Sequence, residues 1–188
     1  GFIMSTLYVI ATPIGNLEDI TFRALRILAE VDVIVAEDTR VTSKLLRKYE
    51  IKSAIESYSN KHIKYKTAKF LGYLENHDLA LVTDAGTPAI SDPGKDLVDQ
   101  AITHGFKVVS VPGPSSLTAS ASISGLELSH FLYLGFLPNK SVARRKTLLA
   151  VVNLNYPLII FESPHRLKDC LEDMKNVLGD RQVVICRE

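Results

Sequence analysis

Three short segments concentrate residues suited to holding a ligand by main chain: "TPIGN" (12 to 16), "DAGTPAISDPG" (84 to 94) and "PGPSS" (112 to 116). Five of the eight prolines lie in them. Glycine lets backbone approach a flat ligand closely and proline fixes the course of a loop. Thr87, Ser91, Ser115 and Ser116 add short hydroxyls for ring nitrogens or a carboxylate. That combination suits an adenosine-type ligand. No segment carries G-x-x-x-x-G-K-[ST], and no G-x-G-x-x-G follows the first apolar run, which disfavours a P-loop nucleotidase or an ordinary dinucleotide enzyme. Taken singly, each loop reads as ordinary turn chemistry.

The elements that must position these loops are short apolar runs alternating with longer periodic segments. "LYVIAT" precedes residues 17 to 30, "VDVIVAE" precedes 41 to 50, "LALVTD" precedes 94 to 104, and "KVVSV" precedes 115 to 123. This alternation predicts parallel strands joined by helical crossovers, and near-continuous Val, Ile, Leu and Ala predicts strands covered on both faces. In "ITFRALRILAEV", Ile20, Ala24, Ile27, Leu28 and Val31 recur at helical spacing. Each ligand-holding loop directly follows a predicted strand, and ligands of open parallel sheets bind at the carboxyl ends of strands, so the three loops are expected on one rim.

A second block alternates "FLYLGF", a basic segment from 141 to 150, "PLIIFE", a helix from Pro164 to Leu178 and "QVVIC". Ser163 is suited to cap that helix with Pro164 at its first position, and Gly179 to end it in a left-handed conformation. The fold class is therefore α/β, with two α/β domains. The boundary falls in the Ser-, Gly- and Ala-rich stretch between Pro114 and Leu128, giving an N-terminal parallel-sheet domain over 4–114 and a C-terminal domain over 115–188. "RQVVICRE" reads as a strand stopping where a loop should begin, so the second domain is expected to be incomplete.

With 188 residues, 46% hydrophobic and 23% charged, the chain fits a soluble globular protein with room for a sizeable core. The 22 basic and 21 acidic residues leave a net charge of +1, so attraction to nucleic acid must come from local patches. Cys170 and Cys186 have no Cys-x-x-Cys spacing, which indicates neither a disulfide framework nor a zinc site. No apolar run approaches the roughly 20 residues of a membrane span, and the start lacks the pattern of a secretory leader. A cytoplasmic location is expected.

Six ordered stretches, "LYVIATPIGNLEDIT", "AEDTR", "VTDAGTPAISDPG", "VPGPSS", "FLYLGFLP" and "IIFESPHR", resemble the ribosomal RNA small subunit methyltransferase I family, a branch of the tetrapyrrole-methylase superfamily. The resemblance implies S-adenosyl-methionine as methyl donor, the 2'-oxygen of a cytidine in small-subunit (16S) ribosomal RNA as acceptor, and a two-domain homodimer. It places Pro13, Ile14, Gly15, Asn16, Asp84, Ala85, Gly86, Thr87, Pro88, Ser115 and Ser116 around the cofactor, closed from the second domain by Phe161. Ser116 departs from the alanine more usual in the family, and family members continue well beyond a position like Glu188.

Methyl transfer from a sulfonium to a hydroxyl is an in-line displacement that needs positioning and no metal. A ribose hydroxyl is a poor nucleophile until a proton acceptor takes its hydrogen. Asp38, or its neighbour Glu37, is a candidate for that role, with Arg40 holding a phosphate bidentately. The alternative makes Asp38 the cap of the helix from Val41, with Arg40 on its surface. Glu162, with His165 and Arg166 beside it, is a third catalytic candidate; alternatively it pairs with Arg166 and begins a helix.

"KHIKYKTAK" (61 to 69) and "NKSVARRK" (139 to 146) concentrate positive charge. Such clusters supply salt-dependent RNA affinity or simply a solvated face. The resemblance favours RNA contact for Arg144, Arg145 and Lys146. Two other functions remain open: a superfamily methyltransferase acting on a tetrapyrrole or a protein, and a non-catalytic RNA-binding module.

Overall fold

The computed structural model describes residues 5–59 and 61–187. The chain divides into two compact units, the first ending at Ser116 and the second spanning Leu117–Arg187. In the first, five parallel strands, β1 (Thr6–Ile10), β2 (Val33–Ala36), β3 (Ala54–Ser57), β4 (Leu79–Val82) and β5 (Lys107–Val111), form one sheet in the order β3-β2-β4-β1-β5. Helices α1 (Phe22–Glu30), α2 (Thr39–Lys48), α3 (Ile63–Leu74) and α4 (Lys95–Thr103) make the crossovers, and a 3-10 turn, Leu17–Asp19, precedes α1.

Strand side chains alternate between faces, so each apolar run feeds two cores. Ile10, Ile34, Ala36, Ala80 and Val82 pack with Ala24, Ile27 and Leu28 of α1 and Leu45 and Leu46 of α2. Leu7, Val35, Leu79 and Leu81 pack with Phe70 and Leu74 of α3 and Leu97 and Ala101 of α4. Fully burying each such Leu, Ile or Phe contributes about 1.5–3 kcal/mol, so the sheet is held from both sides. Because every strand is parallel, all five carboxyl ends lie along one edge.

Two elements go beyond the sequence expectation. β3, "AIES", is an edge strand with no fully buried residue, and lacks the apolar run that marks the others. The basic stretch from 61 to 69 leads into α3, which turns Thr67, Phe70 and Leu74 inward. Within it, Lys69 pairs with Glu56 and Lys66 donates to Ser59 Oγ at 3.1 Å, as on a solvated helix face.

The second unit pairs β6 (Leu132–Phe136) with β7 (Leu158–Phe161) in parallel, with α5 (Ser116–Ile123), α6 (Ser141–Leu149) and α7 (Leu167–Leu178). Leu137, Leu148 and Cys170 centre its core, joined by Leu134, Ile160 and Met174. Three local expectations are corrected. Residues 181–187, including "QVVIC", form no strand; Val183, Val184 and Ile185 are exposed, without the ladder partner a strand requires. α7 begins at Leu167, and Ser163 is not its cap: the Ser163 carbonyl accepts from Arg166 N at 3.1 Å while its hydroxyl is buried without a partner. Gly179 does end α7, at φ 78°. Among the described residues, no helix is long and apolar enough to cross a membrane.

Candidate active site

The strands bearing the three loops, β4, β1 and β5, are neighbours. Thr12 N donates to Gly86 O at 3.0 Å and Gly86 N returns a bond to Thr12 O at 2.9 Å, joining the first loop to the second. Thr87 Oγ1 donates to Pro114 O at 3.3 Å, joining the second to the third. Ala11 N donates to Val111 O at 3.3 Å, extending the β1–β5 ladder into the corners. Gly86 adopts φ +82°, and a Cβ there would meet Ile14 Cγ2 at 3.4 Å. At Gly113 a Cβ would stand 3.1 Å from Ala11 Cβ. A side chain at Gly113 would need Ala11 to shift by a few tenths of an ångström, and one at Gly86 would be strained by the positive φ.

Of the loop residues expected to line this cradle, Pro13, Gly86 and Pro88 are buried and Ile14, Asp84, Thr87 and Ser115 half-buried. Gly15, Asn16, Ala85 and Ser116 are exposed. Asn16 Oδ1 accepts from Glu18 N at 3.0 Å, so this side-chain oxygen caps the 3-10 turn. The second loop holds two non-glycine residues in the left-handed region, Ala89 at φ 65° and Ser91 at φ 58°. Such strain concentrates at ligand-holding loops.

Acidic groups gather beside the cradle, where β2 and β4 end side by side. Asp38 caps α2: its Oδ1 accepts from Arg40 N at 2.9 Å and Arg40 Nε at 3.0 Å, and its Oδ2 from the Arg40 guanidinium at 2.8 Å. The Arg40 side-chain and backbone bonds hold the Asp38 carboxyl down to about 2. A carboxylate so weakly basic is a poor proton acceptor near neutral pH, and the bidentate face of Arg40 is already occupied. The geometry favours the cap.

Sequence reasoning assigned nothing to Asp92 or Thr83. Thr83 is buried, and its hydroxyl donates to Glu37 Oε2 at 3.0 Å. Asp38 N donates to Asp84 Oδ1 at 3.0 Å, fastening the end of β2 to the second loop. Burial, followed by the charge of Glu37, pushes Asp92 up to about 6, partly offset by the nearby Thr83 hydroxyl. Burial and Glu37 also raise Asp84. Asp92 thus exchanges its proton close to neutral pH, the property asked of a general base. In "ISDPG" it reads as a turn aspartate; its acidity depends on residues 37, 83 and 84, which nothing local announces.

In the second unit, Glu162 Oε1 accepts from Ser163 N at 2.7 Å, and its carboxyl stands near the buried Cys170 thiol. Burial, followed by Glu162, pushes that thiol up to about 11. Arg166 bonds Asn139 Oδ1 rather than Glu162. Phe161 sits in a ring cluster, its centroid 5.2 Å from Tyr133 and 5.7 Å from Phe136.

The expectation that Arg144 contacts RNA is corrected. Its side chain is 3% exposed and is bound to Asp173 Oδ2 at 2.9 Å and to the carbonyls of Pro138 and Asn139 at 3.2 and 3.0 Å. A phosphate cannot reach it without opening the α6–α7 packing. Arg145 also pairs with Asp173, at 2.8 Å, but is half-exposed, and Lys146 is exposed.

The sequence profile described as Tetrapyrrole (Corrin/Porphyrin) Methylases matches residues 6–188. The chain is 49% identical over 185 residues to the ribosomal RNA small subunit methyltransferase I of Halalkalibacterium halodurans, covering 97% of this chain and 64% of that protein. To the protein of the same name from Thermotoga maritima it is 46% identical over 186 residues, covering 98% of this chain and 83% of the relative. The chain spans 63% of the Neisseria meningitidis serogroup B relative, at 45% identity. Among solved structures, diphthine synthase superposes with TM-score 0.70 at 14% identity, covering 91% of this chain and 70% of that one. The methyltransferase CobJ gives 0.66 at 18%, covering 92% and 76%. The solved structures share the fold. The profile and the near half identity across the Thermotoga relative go further, and on them the chain belongs to the tetrapyrrole (corrin/porphyrin) methylase family, in the branch of ribosomal RNA small subunit methyltransferase I.

Proposed function

We propose that this chain carries the cofactor cradle of an S-adenosyl-methionine-dependent methyltransferase that acts on the 2'-oxygen of a cytidine in small-subunit ribosomal RNA. The observation that carries the proposal is the stitching of three side-chain-poor corners into one backbone-lined edge through Thr12, Gly86, Thr87 and Pro114. The names of the relatives support methyl transfer to small-subunit ribosomal RNA, and the cytidine 2'-oxygen follows from the family resemblance. The residues present fit the cofactor: main-chain groups and short hydroxyls suit an adenosine moiety, and Glu37, Asp84 and Asp92 favour a cationic ligand beside them.

S-adenosyl-methionine supplies, when bound, a methyl group on a sulfonium centre. The protein's share is to fix that centre and the ribose hydroxyl in line and to accept a proton. Asp92 takes the proton in this reading; Asp38 and Arg40 shape the end of α2, and Glu162 braces the start of the 162–166 loop. Cytoplasmic residence, beside the ribosomal substrate, and a homodimer belong to the same reading.

The test combines calorimetric titration with S-adenosyl-homocysteine and transfer of labelled methyl from S-adenosyl-methionine to small-subunit ribosomal RNA, with a tetrapyrrole and a translation-factor histidine as competing acceptors. The proposal requires binding and RNA labelling at ribose. Label on either competing acceptor alone would replace the substrate, and no binding would remove the enzyme.

A further inference from the structure

β6 contains a bulge whose effect is to gather aromatic rings. Tyr133 pairs with Ile159 and Phe136 with Phe161, while Gly135 pairs with Ile160, so that Leu134 is the extra residue. Gly135 takes φ 62°, the left-handed conformation such a bulge favours. In an unbulged strand Phe136 would share a face with Leu134, which packs into the core beneath α6 and α7. The extra residue turns Phe136 to the other face, beside Tyr133 and Phe161. There the Phe136 and Phe161 rings meet edge to face at 71°, and Phe136 stays 54% exposed. An apolar core gains little from redirecting a phenyl ring into solvent; a ligand with a flat face gains a platform.

The same carboxyl edge of the two-stranded sheet carries cations. Lys140 follows β6 and is exposed; His165 and Arg166 follow β7 and are exposed. The bond from Arg166 to Asn139 Oδ1 ties the two loops together and holds the guanidinium at this edge. Exposed rings beside fixed cations are the chemistry of single-stranded nucleic acid recognition, in which bases stack on rings and phosphates meet Arg and Lys. A methyl-donor cofactor offers a single carboxylate beside its positive sulfonium, whereas an RNA strand offers a phosphate at every nucleotide, so a row of cations suits the RNA better.

We propose that Phe136, backed by Phe161 and flanked by Lys140 and Arg166, is a stacking platform for an unpaired base of the RNA substrate. This rests on the RNA acceptor of the proposed function and adds the residues that would grip it. Phe136 ends β6 and Arg166 follows β7 at the same carboxyl edge, so stacking and charge act on one stretch of RNA.

The test is fluorescence anisotropy of a fluorescein-labelled, cytidine-rich single-stranded RNA with the chain and its variants, alongside calorimetry with S-adenosyl-homocysteine. Phe136→Ala and Phe136→Leu should each weaken RNA binding about tenfold, since one base–ring stack is of that order. Phe136→Trp should restore it. Arg166→Ala should lower the salt slope of RNA binding by about one. S-adenosyl-homocysteine affinity should stay within about twofold in the three Phe136 variants. Phe136→Leu keeps the side chain apolar, so wild-type RNA affinity in that variant would overturn the proposal. Equal loss of both ligands would overturn it too, by assigning the ring to the cofactor. Should wild type fail to bind S-adenosyl-homocysteine while Phe136 still governs RNA affinity, the enzymatic reading falls and the platform stands.

Discussion

Thr12 and Gly86 exchange both backbone hydrogen bonds across the ends of adjacent strands, at 3.0 and 2.9 Å. This antiparallel bridge lies at the carboxyl end of an otherwise parallel sheet and locks two loops whose bridged residues are 74 positions apart in sequence. It leaves the short side chains of both loops at the rim and makes the cradle a fixed feature of the sheet.

Gly86 is the most sensitive position of that lock. At φ +82° any other residue is strained by about 1–2 kcal/mol, and a branched side chain meets Ile14. Gly86→Val should weaken S-adenosyl-homocysteine binding by tenfold or more and lower the melting temperature by several degrees, measured by calorimetry and thermal denaturation.

Asp92 has a folded-state value of about 6, above its ordinary 3.8, so the folded protein holds this proton longer than the unfolded chain does. Its contribution to stability is therefore largest below pH 4, falls as pH rises to 6, and becomes a constant penalty above that. Asp92→Asn should stabilise the protein by about 1 kcal/mol at pH 8, after allowance for solvent screening, and leave it unchanged at pH 4. Denaturant titrations at the two pH values check this.

The same residue predicts the rate profile. Methyl transfer by wild type should rise through pH 6 as Asp92 ionises, and Asp92→Asn should lose that rise together with about 10²–10⁴-fold in kcat. Asp38→Asn should keep kcat within about threefold, because asparagine caps α2 equally well. Single-turnover rates on small-subunit RNA distinguish the two carboxylates.

Arg144 is a structural charge. Arg144→Ala removes a buried partner of Asp173 and should cost about 3 kcal/mol in denaturant unfolding. Arg145→Ala, at a half-exposed site, should cost under 1 kcal/mol while lowering the salt slope of RNA binding, as should Lys146→Ala.

The sheet was legible because Leu79–Val82 and Val33–Ala36 are apolar on both faces, and a parallel strand between helices demands that pattern. The ligand-holding loops were legible because glycine and proline at strand ends have few other uses in combination. Ala54–Ser57 was not, since an edge strand is buried too little to need an apolar run. Arg144, Arg145 and Lys146 read as one basic cluster, yet helical geometry sends Arg144 inward to Asp173, a partner 29 residues away. Asp92 was hidden for a related reason: its raised proton affinity comes from burial and then from the charge of Glu37, which stands near it only when β2 and β4 align.

The central claim is that the corners at 12–16, 84–88 and 112–116 together hold a methyl-donor cofactor. The most direct measurement is nuclear magnetic resonance of backbone amides during titration with S-adenosyl-homocysteine. The account predicts saturable shifts at Ile14, Gly86, Thr87 and Ser115, lost in Gly86→Val. Saturable binding that leaves those four amides unmoved would contradict it.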